Sequence, residues 1–138
     1  MSAEQAKPVP VSDPVTAPYF EGLRTGELRI QRCKACGQRQ HYPRPYCMNC
    51  MSKDVQFEVD SGRGVLHAFT IVRAHHTKAF AADLPIVAVL IELDGGVRLL
   101  STLEGVEANP NLIKIGMAVE VFFDRVSDAV TLPRFRPA

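Results

Sequence analysis

The sequence is poor in several things, and each shortage narrows what the chain can be. No stretch of its 138 residues approaches the ~20 consecutive apolar residues of a membrane-spanning helix. Met1 to Val11 hold no apolar core, which argues against a secretory leader and makes the cytoplasm the expected compartment. An excess of one charge is missing too. Sixteen Lys and Arg against 15 Asp and Glu leave a net +1, which excludes a chain basic throughout, as a general nucleic-acid coat would be. There is no Gly-x-Ser-x-Gly, no His-Glu-x-x-His, no glycine-rich phosphate loop, no internal repeat and no low-complexity run. An independent enzyme therefore has no visible constellation to rest on. What is present is ordinary: 46% hydrophobic and 22% charged residues fit a globular protein and exclude wholesale disorder. A chain of this length makes one domain or two small ones and buries roughly two-thirds of its unfolded surface.

The small net charge hides an asymmetry. Seven bases (Arg24, Arg29, Arg32, Lys34, Arg39, Arg44, Lys53) and one acid (Glu27) fall between Arg24 and Lys53, a net of +6, so the remainder carries −5. A basic module beside an acidic remainder points to a bound anion or an acidic partner at that end. The plainer reading, solvated side chains on a small exposed module, stands beside it.

All four cysteines lie in the same segment, as Cys33-Lys-Ala-Cys36 and Cys47-Met-Asn-Cys50. Two Cys-x-x-Cys pairs supply four converging thiolates, the donor set of a tetrahedral metal site. Gly37 follows the first knuckle, where positive φ is convenient, whereas Met51 follows the second. Gln38–Pro45 can form a short hairpin between them. Zinc is the expected metal, and iron in a rubredoxin-like site would use the same sulfurs. Disulfides are disfavoured without a leader, and a thioredoxin-like motif would need a βαβ setting. Four protein ligands leave no open position, so the expected metal is structural and supplies folding energy to a ribbon too small for its own core.

Along the chain, residues 1–15 read as a disordered tail. Asp13-Pro14 or Thr16-Ala-Pro18 offers a helix start, Tyr19, Phe20 and Leu23 share a face, and Gly26 stops the helix. That face needs cover, from the rest of the protein or from a partner. LRIQRC (28–33) and VQFEVD (55–60) alternate and lead as strands into and out of the knuckles. Residues 16–60 thus form a helix plus ribbon module. Ser61-Gly-Arg-Gly64 is turn chemistry and opens a second module, residues 61–138. There, strands are expected over 65–72, 85–93, 97–103, 117–126 and 129–135, with a turn at Asp94-Gly95-Gly96. Five strands suit a small closed barrel of OB type, making the whole chain mainly β.

The remaining candidates are ligand contacts. His67, within an apolar strand, reads as a packed or barrel-mouth histidine. Arg73, His75, His76, Lys78 and Phe80 share one connection and could line a ligand site. Arg134 and Arg136 straddle Phe135 and could meet a phosphate or carboxylate. Solvated side chains are the alternative in each case.

Taken in order, Tyr19-Phe-Glu-Gly-Leu-Arg-Thr-Gly-Glu-Leu28, the Cys33–Cys50 ribbon, Ser61-Gly-Arg-Gly-Val65, Leu84-Pro-Ile-Val87, Glu92-Leu-Asp-Gly-Gly-Val-Arg-Leu99, Ile115-Gly-Met117 and Leu132-Pro-Arg-Phe-Arg-Pro137 resemble a known family. It is the family of zinc-ribbon plus OB-fold proteins that accompany acyl-CoA enzymes, long filed as a domain of unknown function. The resemblance runs from about residue 16 to the end. It implies a non-catalytic subunit or partner of thiolase-like, aldolase or hydratase enzymes that holds an acyl-CoA thioester or bridges two enzymes. This chain departs from the pattern in three places: Tyr19-Phe20 replaces an aromatic pair with tryptophan, the second knuckle lacks glycine, and Arg73-Ala-His-His76 replaces a His-Arg order.

Three functions compete. An accessory subunit in lipid, sterol or polyketide metabolism would bind an acyl-CoA enzyme, an acyl-CoA or a second copy of itself. A single-stranded nucleic-acid-binding ribbon and OB protein would need a charged groove, but residues 61–138 balance eight bases with eight acids. A rubredoxin-like electron carrier would be red.

Overall fold

The computed structural model describes residues 7–138. The tail expected over residues 1–15 lies partly outside them. Residues 7–12 have no regular secondary structure, and Lys7 forms an ion pair with Asp83. The helix begins where Asp13 turns the chain, its carboxylate accepting from the Val15 and Thr16 N–H groups at 2.9 and 2.8 Å. Those bonds hold the Asp13 carboxyl below its ordinary range. Helix α1 (Ala17–Arg24) follows, with proline in its first turn, and Gly26 stops it at φ 82°.

Strands β1 (Leu28–Cys33), β2 (Arg39–Gln40) and β3 (Val55–Asp60) form one antiparallel sheet in the order β2-β1-β3. Strands β4 (Arg63–Val72), β5 (Ile86–Leu93), β6 (Arg98–Thr102), β7 (Ala118–Arg125) and β8 (Thr131–Pro137) form the other, in the order β6-β5-β4-β7-β8. A 3-10 turn over Lys78–Asp83 joins β4 to β5. The second sheet curls into a nearly closed OB-like barrel. Its seam is a Leu103–Phe135 bridge, with the Glu104 N–H donating to Phe135 O at 2.8 Å. Pro133 has no N–H for the seam, and the Ser101 hydroxyl donates to its carbonyl instead, at 2.8 Å. Gly64 lets β4 and β5 meet, since a Cβ there would come within 2.3 Å of Glu92 O.

The core is continuous across both sheets. Tyr19 and Leu23 of α1 pack with Leu28 and Ile30 of β1 and with Leu66, Ile91, Leu99, Val119 and Phe135 of the barrel. Each such fully buried side chain contributes about 2 kcal/mol of apolar burial. The chain itself therefore covers the helix face that the sequence left in want of cover. Arg39 adds a packing contact to the barrel, while its ion pair stays within its own sheet. Its guanidinium lies against Gly95 in the β5–β6 turn and pairs with Asp60 at 2.6 Å.

One expectation needs correction. His67 is not packed in the interior. The β4–β5 register shifts between Leu66 and Ala68, so His67 occupies a bulge and faces solvent. Among the described residues, no helix is long and apolar enough to cross a membrane.

Candidate metal centre and ligand-facing residues

The two knuckles bring the Sγ atoms of Cys33, Cys36, Cys47 and Cys50 within 4.8 Å of one another. The Cys33–Cys50 and Cys36–Cys47 Sγ separations are both 3.6 Å. Four sulfurs about 2.3 Å from a tetrahedral zinc stand about 3.8 Å apart, whereas a disulfide requires about 2.05 Å. The donor set and its spacing thus fit one tetrahedral ion and not a pair of disulfides. Cys33 and Cys47 are buried; Cys36 and Cys50 are exposed. Asn49 serves two sulfurs, its backbone N–H donating to Cys47 Sγ (3.3 Å) and its side-chain amide to Cys36 Sγ (3.6 Å). The Asn49 amide, then the Gln38 backbone N–H, push the Cys36 thiol down to about 6. A depressed thiol favours the thiolate that a metal requires.

Two glutamines hold the intervening hairpin, and sequence reasoning passed over both. Gln31 is buried in β1. Its amide donates to Arg44 O and its carbonyl accepts from the Arg44 N–H, each at 2.9 Å. Gln40 donates to Gln31 Oε1 at 2.8 Å and accepts from the Met48 N–H at 2.9 Å, which ties the second knuckle to β1. The sequence signal was slight, because alternation places Gln31 on the strand face opposite Leu28 and Ile30, and its burial comes from the hairpin that bonds to it.

The basic window is less basic in space than in sequence. Arg24 pairs with Glu21, Arg29 with Glu27, Arg32 with Glu58, and Arg39 with Glu58 and Asp60. The Arg32 hydrogen bonds and the charges of Arg32 and Arg39 hold the Glu58 carboxyl below its usual range. Lys34, Arg44 and Lys53 have no anionic partner among the described residues.

The ligand candidates divide into groups. His75 stacks on His76 at 4.9 Å and meets Phe80 at 4.8 Å, and its Nδ1 accepts from the Thr77 N–H at 2.9 Å. Phe80 and Arg134, far apart in sequence, line one cavity of about 500 Å³ with Ile86, Val87 and Leu103. Arg134 there donates to Asp124 (2.6 Å) and Thr102 (2.9 Å), and Asp83 and Glu104 also face the cavity. Its wall is therefore not an anion trap. Arg136 pairs with Glu120 at 3.1 Å and covers Phe122, away from that cavity. Arg73 is exposed at the end of β4 and joins neither group.

A further cluster had no sequence signal. His41 packs between Tyr19 (5.1 Å) and Tyr42 (4.2 Å), and neither ring nitrogen has a hydrogen-bond partner. Burial pushes its imidazole down to about 4.

Comparison with known proteins agrees with this layout. Residues 20–56 match the family described as "ChsH2, rubredoxin-like zinc ribbon domain", and residues 59–124 match "ChsH2, C-terminal OB-fold domain". A chain of the solved structure "Ltp2-ChsH2(DUF35) aldolase" is 34% identical with a TM-score of 0.82, covering 94% of this chain and 98% of that one. A "DUF35 domain-containing scaffold protein" of Methanocaldococcus jannaschii is 33% identical over 98 residues, 70% of this chain and 67% of the relative. A "Probable enoyl-CoA hydratase alpha subunit" of Thermomonospora curvata is 36% identical over 132 residues, 96% of this chain and 40% of the relative. The chain thus spans about two-fifths of that subunit's length.

Proposed function

The chain belongs to the DUF35 family of paired ChsH2-type zinc-ribbon and OB-fold domains, and from that premise we propose that it is a non-catalytic accessory subunit of an acyl-CoA-processing enzyme. The enzyme would be thiolase-like, an aldolase or a hydratase, in lipid, sterol or polyketide metabolism. The observation that carries this reading is the end-to-end likeness to a chain of an aldolase structure, which covers helix, ribbon and barrel together. The hydratase and scaffold names of two relatives point the same way.

The chemistry of the centre supports it. Four thiolates fill a tetrahedral ion, so no position is left for substrate, and the ion would contribute folding energy. Cys33, Cys36, Cys47 and Cys50 would hold zinc, and free thiols suit the cytoplasm. The acyl portion of an acyl-CoA, rather than its phosphates, would be met at the barrel cavity of Phe80 and Arg134, with His75 and His76 stacked beside Phe80. Arg73 and Arg136 would contribute at most from outside that cavity.

A pull-down from the native cell, followed by co-expression with any thiolase-like, aldolase or hydratase enzyme it captures, tests the proposal. The expected result is a complex of fixed stoichiometry whose turnover exceeds that of the enzyme alone. Thioester turnover by the isolated chain would overturn it.

A further inference from the structure

The two knuckles follow one hydrogen-bond plan, yet the second holds two large apolar side chains in the open. Met48 is 56% exposed and Met51 66%. Met51 sits at φ 67°, where the first knuckle has Gly37 at φ 80°. A residue with a Cβ occupies that left-handed region at a cost that glycine avoids. The fold gains nothing visible in return. The Met51 side chain is not part of the core, and its N–H bond to Cys47 O would be made by glycine as well. Strain kept at an exposed position points to a use outside the fold.

Charge marks the same end of the ribbon. Lys34 lies in the first knuckle, its N–H donating to Asp54 O at 2.8 Å, and Lys53 follows the second knuckle. Arg44 is tied through Gln31 and Gln40 to Met48. All three cations are exposed and without an anionic partner among the described residues, while the other bases of the ribbon are paired. The carboxylate of nearby Asp54 accepts only from Gln56 among the described residues, at 3.4 Å. A divalent ion on four thiolates carries net negative charge, which accounts for some of the cations. It does not account for the methionines.

We infer that Met48 and Met51, edged by Lys34, Arg44 and Lys53, form a docking knob for a protein whose surface offers an apolar cleft rimmed with carboxylates. Flexible thioether side chains suit an adaptable contact. Unpaired rim cations steer approach and fix orientation. The inference rests on the accessory-subunit reading and names the face by which that subunit holds its enzyme.

The test is calorimetric titration of the full-length, zinc-loaded chain with the acyl-CoA enzyme that co-purifies with it from the native cell. Zinc content and melting temperature are measured in parallel. The double variant M48S/M51S is expected to keep its zinc and to bind at least about tenfold more weakly, as loss of a central contact does. Met51→Gly is expected to melt higher and yet bind more weakly, a combination that a structural role cannot give. Leu112→Ser, on the exposed barrel surface, is expected to change neither. Unchanged affinity in M48S/M51S, with wild type binding, would overturn the knob and leave the accessory reading standing. Failure of the wild type to bind would overturn both. If Lys34→Gln and Lys53→Gln lower zinc retention without changing the salt dependence of binding, the cations serve the metal and the carboxylate rim is wrong.

Discussion

Cys33–Gln38 and Cys47–Ser52 are the same object built from different residues. In the first, the Cys33 N–H donates to Gln38 O and the Gly37 N–H to Cys33 O, both at 2.8 Å. In the second, the Cys47 N–H donates to Ser52 O at 2.7 Å and the Met51 N–H to Cys47 O at 2.9 Å. Both turns leave the residue after the second cysteine in the left-handed region, at φ 80° for Gly37 and 67° for Met51. The turn is set by the need to aim two sulfurs at one point, and residue type decides only how comfortable it is. Glycine is therefore a sign of a knuckle and not a condition for one.

The harshest way to break the comparison is to remove what both knuckles serve. Stripping the metal with a chelator should undo both together and cost more than any side-chain change, because binding energy in such ribbons is folding energy. Loss of strand signal and a large fall in melting temperature check this.

Next comes the hairpin between the knuckles. His41 is neutral in the folded chain, its imidazole pushed down to about 4 by burial, whereas the unfolded chain takes up a proton near pH 6.5. The unfolded state binds more protons between those values, so stability rises with pH there and is lost as pH falls from about 6.5 towards 4. The loss is on the order of 3 kcal/mol. Cysteine protonation acts over the same range, so the measurement is the difference between wild type and His41→Phe in denaturant midpoints at pH 7 and pH 5. The variant should lose less.

Exchange of the distinguishing residues sharpens the comparison. Gly37→Met should cost about 1–2 kcal/mol, all of it conformational, because nothing lies within 4 Å of a Cβ at Gly37. Met51→Gly should gain less, roughly 0.5–1 kcal/mol, since glycine also adds freedom to the unfolded chain. Thermal melts of the two variants, run with the metal bound, decide both.

Much of this was written in the sequence because it depends on local pattern. LRIQRC and VQFEVD alternate and become β1 and β3. The paired Cys-x-x-Cys spacing announces the four-sulfur cluster. Gly26 ends α1 where the pattern says it should. What escaped depends on distant partners. The +6 window ignored Glu58 and Asp60, which lie on β3, beside β1 and one strand beyond β2, and absorb Arg32 and Arg39. Arg134 looked like an anion contact until Asp124 of the neighbouring strand came to lie beside it. A bulge turned His67 to the surface, against the packed position that was one of its two expected places, and no residue type announces a bulge. Phe80 and Arg134 come to line one cavity only because the barrel closes.

Arg39 carries a consequence for how the halves live together. Its side chain is 8% exposed and that of its partner Asp60 5%, and the guanidinium fills the space over Gly95. If the ribbon let go, that cation and its carboxylate would leave together, and the barrel would lose the guanidinium over Gly95 along with its core contacts to Tyr19, Leu23, Leu28 and Ile30. Helix, ribbon and barrel are thereby committed to a joint fate. The molecule should melt once rather than twice, and a cell that cannot fill the sulfur cage should lose the barrel as well.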